Sequence, residues 1–231
     1  MATRKTSASP AASPRRRVSR TDGDQTSQRI LEAACALFAD KGFAETTSKA
    51  IAERADVDLA SINYHFGSRG GLYQAALVHA HAQLVARRQL EAIDACDKPA
   101  QEKLIAFIDT LLNAAFSEQG WPLRLLAREV MSPSSYFSAL MTQEIQPKIA
   151  ILQRILSEAL GLPAGHPALL RSLVSIAAPC LMVAVAGGAA TPGPVQQVRH
   201  GGKQAFAEHL RTFVLAGLAA VSAQYREADA P

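Results

Sequence analysis

The sequence is poor in cysteine and in aromatic residues. Its three cysteines, Cys35, Cys96 and Cys180, are odd in number and far apart, and aromatic residues make up only 6% of the 231 residues. This pattern contains neither a disulfide framework nor the close spacing of a cysteine metal site. We therefore expect a reducing compartment, the cytoplasm, and no bound metal. Cys35 falls near the apolar stripe of the first predicted helix, where a core position is expected.

The sequence also lacks the motifs of the common enzyme classes. We find no Gly-x-Ser-x-Gly turn, no Gly-x-Gly-x-x-Gly loop, no phosphate-binding P-loop and no His-Glu-x-x-His pair. His79 and His81 stand two residues apart, which on a helix points them to different faces and disfavours a metal site between them. We therefore expect a protein that is not an enzyme and that needs no cofactor.

Long uninterrupted apolar runs are scarce as well. The most apolar segment, residues 173–190, approaches the length of a membrane span, but it contains Pro179 and Gly187-Gly188 and is mostly Ala and Val. We expect it to be a buried helix. The basic N-terminus is followed by the polar residues 18–24, so we expect no export signal there.

Positive charge is concentrated at the start of the chain. Residues 1–20 carry six basic side chains and no acidic one, among them Arg15, Arg16 and Arg17, whereas the whole chain has a net charge of +4. Residues 1–24 are also rich in Ser, Pro and Ala, so we expect a disordered arm. A basic arm on a slightly acidic body suggests a polyanionic partner, which is either nucleic acid or an anionic membrane surface.

Hydrophobic spacing predicts helices along the rest of the chain, with little strand alternation. Lys41-Gly42 is expected to end the first helix, Thr47 to cap the second and Asp58 to cap the third, with a turn at residues 55–57. The apolar stripe of the first helix contains Ile30, Leu31, Ala34, Leu37 and Phe38.

Longer helices are predicted in the remaining two thirds of the chain. Their expected limits are 72–93, 99–119, 134–160, 167–187 and 202–225, with a loop over 188–201. Pro147 is expected to divide or kink the helix that contains it. Pro122, Pro133 and Pro167 are interpreted as first-turn prolines, with Ser132 as the cap before Pro133.

The second and third helices have the spacing of a helix-turn-helix. Helices over 47–55 and 58–65, joined by a turn of about three residues, fit the unit whose second helix enters the major groove of DNA. The outward side chains of that helix must be short and polar, or aromatic with a polar tip. Four residues meet this requirement: Ser61, Asn63, Tyr64 and His65. Leu59 and Ile62 are expected to face inward, and for Tyr64 and His65 packing between helices is the alternative.

Three motifs follow one another in residues 26–73. They are Leu37-Phe38-Ala39-Asp40-Lys41-Gly42-Phe43, Ile51-Ala52-Glu53-Arg54-Ala55 and Tyr64-His65-Phe66. In this order they resemble the DNA-binding domain of the TetR/AcrR family of bacterial regulators. A looser similarity to the CecR-type branch of that family lies around residues 128–133 and 145–147. The resemblance implies an all-helical homodimer whose N-terminal domains bind a palindromic operator and whose C-terminal domain binds an effector.

The resemblance also implies roles for individual residues. Thr47 and Ser48 would face phosphates, and Arg69 would contact the DNA backbone. Ser61, Asn63, Tyr64 and His65 would line the recognition helix. Two positions depart from the family pattern: Asp56 stands where the turn usually has Gly, and Gly70 stands where an acidic residue is usual. We expect Asp56 to take the left-handed backbone conformation and the glycine to let the start of the fourth helix fray.

The C-terminal half contains a second group of aromatic, Met and charged residues. Aromatic and Met side chains form adaptable apolar walls, and Arg128 or Glu129 could hold the polar end of a ligand. The alternative is that these residues form an ordinary core. The effector-binding residues expected on this basis are Phe116, Trp121, Leu125, Arg128, Met131, Phe137, Met141 and Met182.

We therefore expect an all-α chain. It would contain the basic arm 1–24, a three-helix DNA-binding domain 25–71 with its helix-turn-helix at 47–66, and a helical ligand-binding and dimerisation domain 72–231. Small residues on the last two helices favour a four-helix seam between two copies. The predicted function is a TetR-like transcriptional repressor that a small, largely apolar effector releases from its operator. The alternatives are a peripheral membrane or scaffold protein whose arm binds anionic lipid, and an enzyme built on a helical bundle.

Overall fold

The structure, a computed structural model, describes residues 20–117, 120–186 and 193–228. In these ranges every regular element is helical, so the predicted all-α fold class is confirmed. Arg15, Arg16 and Arg17 lie outside the described residues, as do residues 1–19 of the predicted arm, whereas residues 20–24, which were expected to be disordered, belong to the first helix. The elements in chain order are α1 (Arg20–Glu45), α2 (Ser48–Ala55), α3 (Leu59–Phe66), α4 (Arg69–Leu84), α5 (Arg87–Ala95), α6 (Ala100–Ala115), α7 (Trp121–Met131), α8 (Phe137–Leu140), a π-helical turn (Met141–Ile145), α9 (Gln146–Leu160), α10 (Pro167–Ala186), α11 (Pro194–His200) and α12 (Lys203–Ala228).

The boundaries of the first three helices follow from local chemistry, as predicted. Gly42 breaks α1 with a φ of 81°, a conformation that glycine adopts without strain. The Thr47 hydroxyl accepts the Ala50 N–H at 3.1 Å, and the Asp58 carboxylate accepts the Ser61 N–H at 2.7 Å, so both residues are N-caps. Asp56 has φ 51° and ψ 55°, and it is the one non-glycine residue with positive φ among those described.

The start of α4 is held firmly, so the prediction that it frays is wrong. The Ser68 hydroxyl caps the helix by accepting the Gly71 N–H at 3.0 Å. Gly70 is buried, and a Cβ at this position would overlap the hydroxyl of Tyr136. A Cβ at Gly71 would overlap the carbonyl oxygen of Phe66. Both glycines therefore permit close packing.

Several later boundaries differ from the prediction. The segment predicted as one helix over 72–93 divides at the buried Val85, whose backbone is extended, and the loop predicted at 188–201 contains α11. Ser132 ends α7, so Pro133 does not lie in the first turn of a helix. Pro147 lies in the first turn of α9, directly after the π-helical turn.

Two hydrophobic cores meet along α4 and α7. The first core joins α1, α2, α3 and α4 with Leu125 and Leu126 of α7, and it contains the fully buried Phe38 and Cys35. The second core joins α5, α6, α9, α10 and α12, with Leu123 of α7. The first core continues through α4, past the predicted domain boundary at residue 71. That boundary remains a prediction.

The predicted buried helix near residues 173–190 is only half covered. Pro167–Val185 is long and apolar enough to cross a membrane, and 39% of it is buried within the chain. Leu169, Leu173 and Ile176 face the second core, whereas Leu170 and Val174 are exposed. An apolar face of α10 therefore remains uncovered in the single chain.

Candidate nucleic-acid interface and internal cavity

The recognition helix α3 is fixed by one buried side chain and presents the others to solvent. Ile62 is completely buried against α1, α2 and α4, while Asn63 and Tyr64 are exposed. Tyr64 is 85% exposed, so it does not pack between helices. The His65 ring is half-buried and meets the Tyr64 ring edge-on, with the centroids 5.0 Å apart. Asn63 and Tyr64 are thus available to an external partner.

Leu59 was predicted to face inward, and this is wrong. It is 52% exposed, although it lies three residues before the buried Ile62 and therefore on a similar side of the short helix α3. Leu59 and Asn63 are four residues apart, as are Ala60 and Tyr64, and all four are exposed on neighbouring rows of the helix. This spacing was readable in the sequence. It adds two apolar side chains, which can contact thymine methyl groups, to the candidate base-reading surface.

Ser61 is engaged within the chain. Its backbone N–H and its hydroxyl both donate to the same carboxylate oxygen of Asp58, at 2.7 and 2.9 Å. These hydrogen bonds hold the pKa of Asp58 below its ordinary value. Ser61 therefore helps to cap α3, and a DNA contact would use what remains of its hydrogen-bonding capacity.

The start of α2 carries exposed polar groups beside α3. Thr47 is exposed, and its capping bond uses only an acceptor position, so its hydroxyl can still donate. Ser48 is half-buried. The Lys49 side chain is 83% exposed and only loosely paired with Glu53, at 3.9 Å. The sequence-based site did not include Lys49, although an exposed cation at this position suits a phosphate contact.

Arg69 has a structural role that the sequence did not indicate. Its guanidinium donates to the carbonyl of Thr46 at 2.8 Å and lies 4.3 Å from the centre of the Phe43 ring. It thereby joins the start of α4 to the turn between α1 and α2. The predicted contact with the DNA backbone remains a prediction, and it would have to use the N–H groups that this arrangement leaves free.

The two charged residues predicted to hold the effector make contacts between helices, and neither lines the cavities described below. Arg128 donates to the carbonyls of Ala39 and Asp40 near the end of α1, at 3.2 and 2.9 Å. Glu129 is buried and accepts hydrogen bonds from the Tyr73 hydroxyl at 2.7 Å and from the N–H and hydroxyl of Ser134 at 2.8 and 2.6 Å. Burial raises the pKa of Tyr73, so its hydroxyl keeps the proton that it donates.

The other predicted effector residues do not assemble into one pocket either. Leu125 belongs to the first core, Met131 and Met182 are exposed, and Met141 lies on the π-helical turn. Trp121 stacks on His79, and Phe116 packs against Phe206 and Arg199. Phe137 alone lines the cavity described next. The reason is the orientation of α7, which turns Leu123, Leu126 and Val130 toward that cavity and Leu125 and Glu129 toward α1 and α4.

Two adjoining cavities, both partly open to solvent, lie between the helices of the C-terminal half. The larger, of about 220 Å³, is lined from α4, α6, α7, α8, the π-helical turn and α10, and the smaller, of about 180 Å³, from α4, α5, α6, α9, α10 and the same π-helical turn. They share the wall residues His81, Leu84, Leu111, Ile145 and Ala177. Together they reach the lower end of the range for small-molecule pockets, about 300–1,000 Å³.

A buried polar group stands at the junction of these cavities. The Lys148 Nζ lies 2.8 Å from Nδ1 of His81 and 2.8 Å from a carboxylate oxygen of Glu144. His81 lines both cavities, and Lys148 lines the smaller one. No sequence pattern indicated this group, because His81 and Lys148 are 67 positions apart.

A helix-turn-helix with an exposed second helix, joined to an all-helical C-terminal half, defines a DNA-binding transcriptional regulator. Residues 30–76 match the family described as bacterial regulatory proteins of the tetR family, and residues 100–218 match the C-terminal domain of the HTH-type transcriptional dual regulator CecR. The chain belongs to the TetR/AcrR family, with a C-terminal domain of the CecR type.

Individual relatives agree with this assignment. A Bacillus subtilis protein described as the probable HTH-type transcriptional regulator YttP is 29% identical over 147 residues, which are 61% of this chain and 70% of that protein. A TetR-like transcriptional regulator from Rhodococcus sp. RHA1 has a TM-score of 0.64 at 19% identity, covering 88% of this chain and 99% of its own. The regulator FadR from Bacillus subtilis, solved in complex with stearoyl-CoA, has a TM-score of 0.64 at 16% identity. The match covers 82% of this chain and 98% of the FadR chain. Both structures show the same fold.

Proposed function

We propose that this protein is a dimeric repressor that leaves a palindromic operator when a small, largely apolar molecule occupies the two adjoining cavities. The observation that carries the proposal is the course of α4. Its first half, with Leu72 and Tyr73, packs in the core beneath the recognition helix, and its last turns supply His81 and Leu84 to the cavity walls. One helix therefore connects the ligand site to the DNA-binding surface.

The DNA contacts proposed for this chain follow from the exposed surface of α2 and α3. Asn63 can pair with the edge of adenine in the major groove, beside Tyr64 and His65. Thr47 and Ser48 lie where the start of α2 would meet the phosphate backbone, with Ser61 and Arg69 as further contacts. Arg15, Arg16 and Arg17 would add electrostatic affinity, since residues 24–75 themselves carry five basic and seven acidic side chains.

The last long helices are proposed as the dimer seam. TetR-family regulators bind their operators as dimers. Leu170 and Val174 of α10 and Phe213 of α12 are exposed apolar side chains, and the surface groove between these helices is bordered by Gly217. A two-fold axis along this face would cover them and bring two recognition helices to successive major grooves, about 34–36 Å apart.

The release mechanism is a shift between two forms of the dimer. A ligand can change the separation of the recognition helices only to the extent that it binds one form more tightly than the other. A ligand that fills the cavities would press on Leu84 near the end of α4. It would therefore favour the form of the dimer in which α4 is displaced from its position in the ligand-free protein. In that form the two recognition helices no longer match successive grooves.

DNA binding is tested by fluorescence anisotropy with duplexes that the purified protein selects from its own genome. Asn63→Ala should weaken binding to the selected duplex by about ten- to hundredfold while leaving a scrambled duplex nearly unaffected. Gln101→Ala, an exposed substitution on α6, should leave both unchanged. Equal affinity of the wild-type protein for selected and scrambled duplexes would refute the proposal.

Membership of a family of DNA-binding regulators favours DNA over lipid as the partner of the basic arm, and it supports the proposal of a cytoplasmic site of action. Flotation with vesicles that contain anionic lipid tests the alternative. A protein that floats with such vesicles and does not bind any selected duplex would reverse this order.

A further inference from the structure

Lys148 is a buried cation at the edge of an otherwise apolar space. Its side chain is 4% exposed, and its Nζ faces Nδ1 of His81 at 2.8 Å, the carboxylate of Glu144 at 2.8 Å and the carbonyl of His81 at 3.4 Å. Because an ammonium group only donates, Nδ1 of His81 accepts and its imidazole is neutral, with the hydrogen on Nε2. Burial, together with the nearby Lys148, lowers the pKa of His81 to about 4, which agrees with that assignment.

Glu144 is less tightly held than the cation it neutralises. Its side chain is 24% exposed, against 4% for Lys148, and it lies on the π-helical turn Met141–Ile145. Such turns are rare and occur frequently at functional sites. The Glu144 carboxylate can therefore rotate into solvent, whereas the Lys148 ammonium has no comparable route to water.

The walls of the cavities limit what can replace Glu144. His81 and Lys148 are the two polar residues that line the smaller cavity, and all its other wall residues are apolar. His81 is likewise the one strongly polar residue around the larger cavity. An occupant must therefore be apolar over most of its surface, with one polar group at the end near Lys148.

We propose that the effector is a monocarboxylate with an apolar body, whose carboxylate replaces that of Glu144 on the Lys148 ammonium. The proposal rests on the proposed function above and specifies its ligand. The exchange keeps the buried site electrically neutral, since one anion leaves as another enters. A neutral ligand would gain nothing from Lys148, and a cationic one would place two like charges together in a site of low dielectric.

The same exchange supplies a route to the DNA-binding helices. Glu144 joins the π-helical turn to Lys148, which in turn contacts His81 near the end of α4. Both α8 and the π-helical turn pack against α4. When a ligand carboxylate takes the place of Glu144, the polar link that runs from this turn through Lys148 to α4 is broken and only packing contacts remain, so α4 can shift more easily.

Direct ligand binding is measured by isothermal titration of the full-length protein, without DNA, using octanoate, octanol and octylamine. Octanoate should bind at least about tenfold more tightly than octanol, and octylamine more weakly than either, since a charge-assisted hydrogen bond changes affinity by about ten- to hundredfold. Equal affinities for octanoate and octanol, or no binding of octanoate, would overturn the proposal.

Variants separate the charge from the shape of the site. Lys148→Met should weaken octanoate binding by about ten- to hundredfold and leave octanol nearly unchanged. Glu144→Gln should strengthen octanoate binding, because the competing anion is removed while the fold of α9 keeps Lys148 in place. Lys103→Met is the matched control, because Lys103 is also a buried lysine with a glutamate partner, Glu158, but it lines neither cavity. Octanoate binding that is unaffected in both Lys148→Met and Glu144→Gln would contradict the exchange.

Thermal unfolding of each variant shows whether it is folded. If Lys148→Met does not fold, the octanoate affinity of Glu144→Gln tests the exchange instead. DNA binding without ligand is measured in parallel. A protein that binds its selected duplex but not octanoate refutes the ligand class alone. If the protein binds octanoate through Lys148 but binds no duplex specifically, the proposed function is refuted, whereas the carboxylate site at Lys148 is supported.

Discussion

Lowering the pH from 7 to 4 should destabilise the folded chain through one side chain, His81. The imidazole has an ordinary pKa of 6.5 and a pKa of about 4 in the fold, because burial and Lys148 of α9 oppose its protonation more strongly than Glu144 of the π-helical turn favours it. Between these two values the unfolded chain binds a proton that the folded chain does not. The contribution of the neutral His81 side chain to the free energy of unfolding is therefore fully present above pH 6.5, and it is lost as the pH falls toward 4.

The size of the effect follows from the pKa difference. At 1.36 kcal/mol for each pKa unit, a difference of about 2.5 units corresponds to about 3 kcal/mol of unfolding free energy. This is a large part of the stability of an ordinary domain, about 5–15 kcal/mol. The part of the loss that His81 causes should fall mainly between pH 6.5 and 4.

Urea unfolding at a fixed protein concentration, from pH 7.5 to 4, measures this loss. His81→Gln removes the titrating group and keeps an acceptor for Lys148, so its stability should fall less with pH than that of the wild type, by about 3 kcal/mol at pH 4. His79→Gln is the control, since His79 lies two residues earlier and stacks on Trp121. Parallel pH profiles for the wild type and His81→Gln would refute the reasoning.

Two further predictions concern other parts of the chain. Glu129→Gln should lower the unfolding free energy by about 1–3 kcal/mol, measured by urea unfolding, because an amide cannot accept all three hydrogen bonds that Tyr73 and Ser134 donate; an unchanged midpoint would show that these bonds contribute little. Deleting residues 1–20 should weaken DNA binding generally and reduce the slope of log K against log salt by up to about 5, at roughly 0.9 for each lost phosphate contact. An unchanged slope would mean that the arm does not touch DNA.

The DNA-binding half could be predicted from the sequence because its signals are local. An N-cap such as Thr47 or Asp58 hydrogen-bonds to a group three residues away, and the left-handed turn at Asp56 depends on its own backbone. These features act before any tertiary contact forms. The inward assignment of Leu59 failed because a helix of eight residues buries only one side chain deeply, and the hydrophobic pattern could not tell which.

The C-terminal half could not be predicted in the same way. Composition indicated that α7 contributes to a pocket, but which of its faces borders the cavity depends on how α7 packs between two cores. The residues chosen by chemical type, Leu125 and Arg128, face α1 and α4. Lys148 meets His81 across 67 positions, and Tyr73 meets Glu129 across 56, so neither pair leaves a pattern within one helix.

The contacts that α7 makes with α1 bear on how such regulators can be recombined. Arg128 binds the carbonyls of Ala39 and Asp40, which are backbone groups that any sequence provides at the end of a helix. The bond between Tyr73 and Glu129, by contrast, depends on both side chains. A chimera joined near residue 71 keeps that pair in one parent, whereas a junction after α4 would separate the pair. Such a chimera still has to match the first core, because Leu72 and Tyr73 of α4 and Leu125 of α7 pack against α1, α2 and α3. The DNA-binding helices up to residue 71 can therefore be exchanged between relatives whose apolar side chains fill this core equally well.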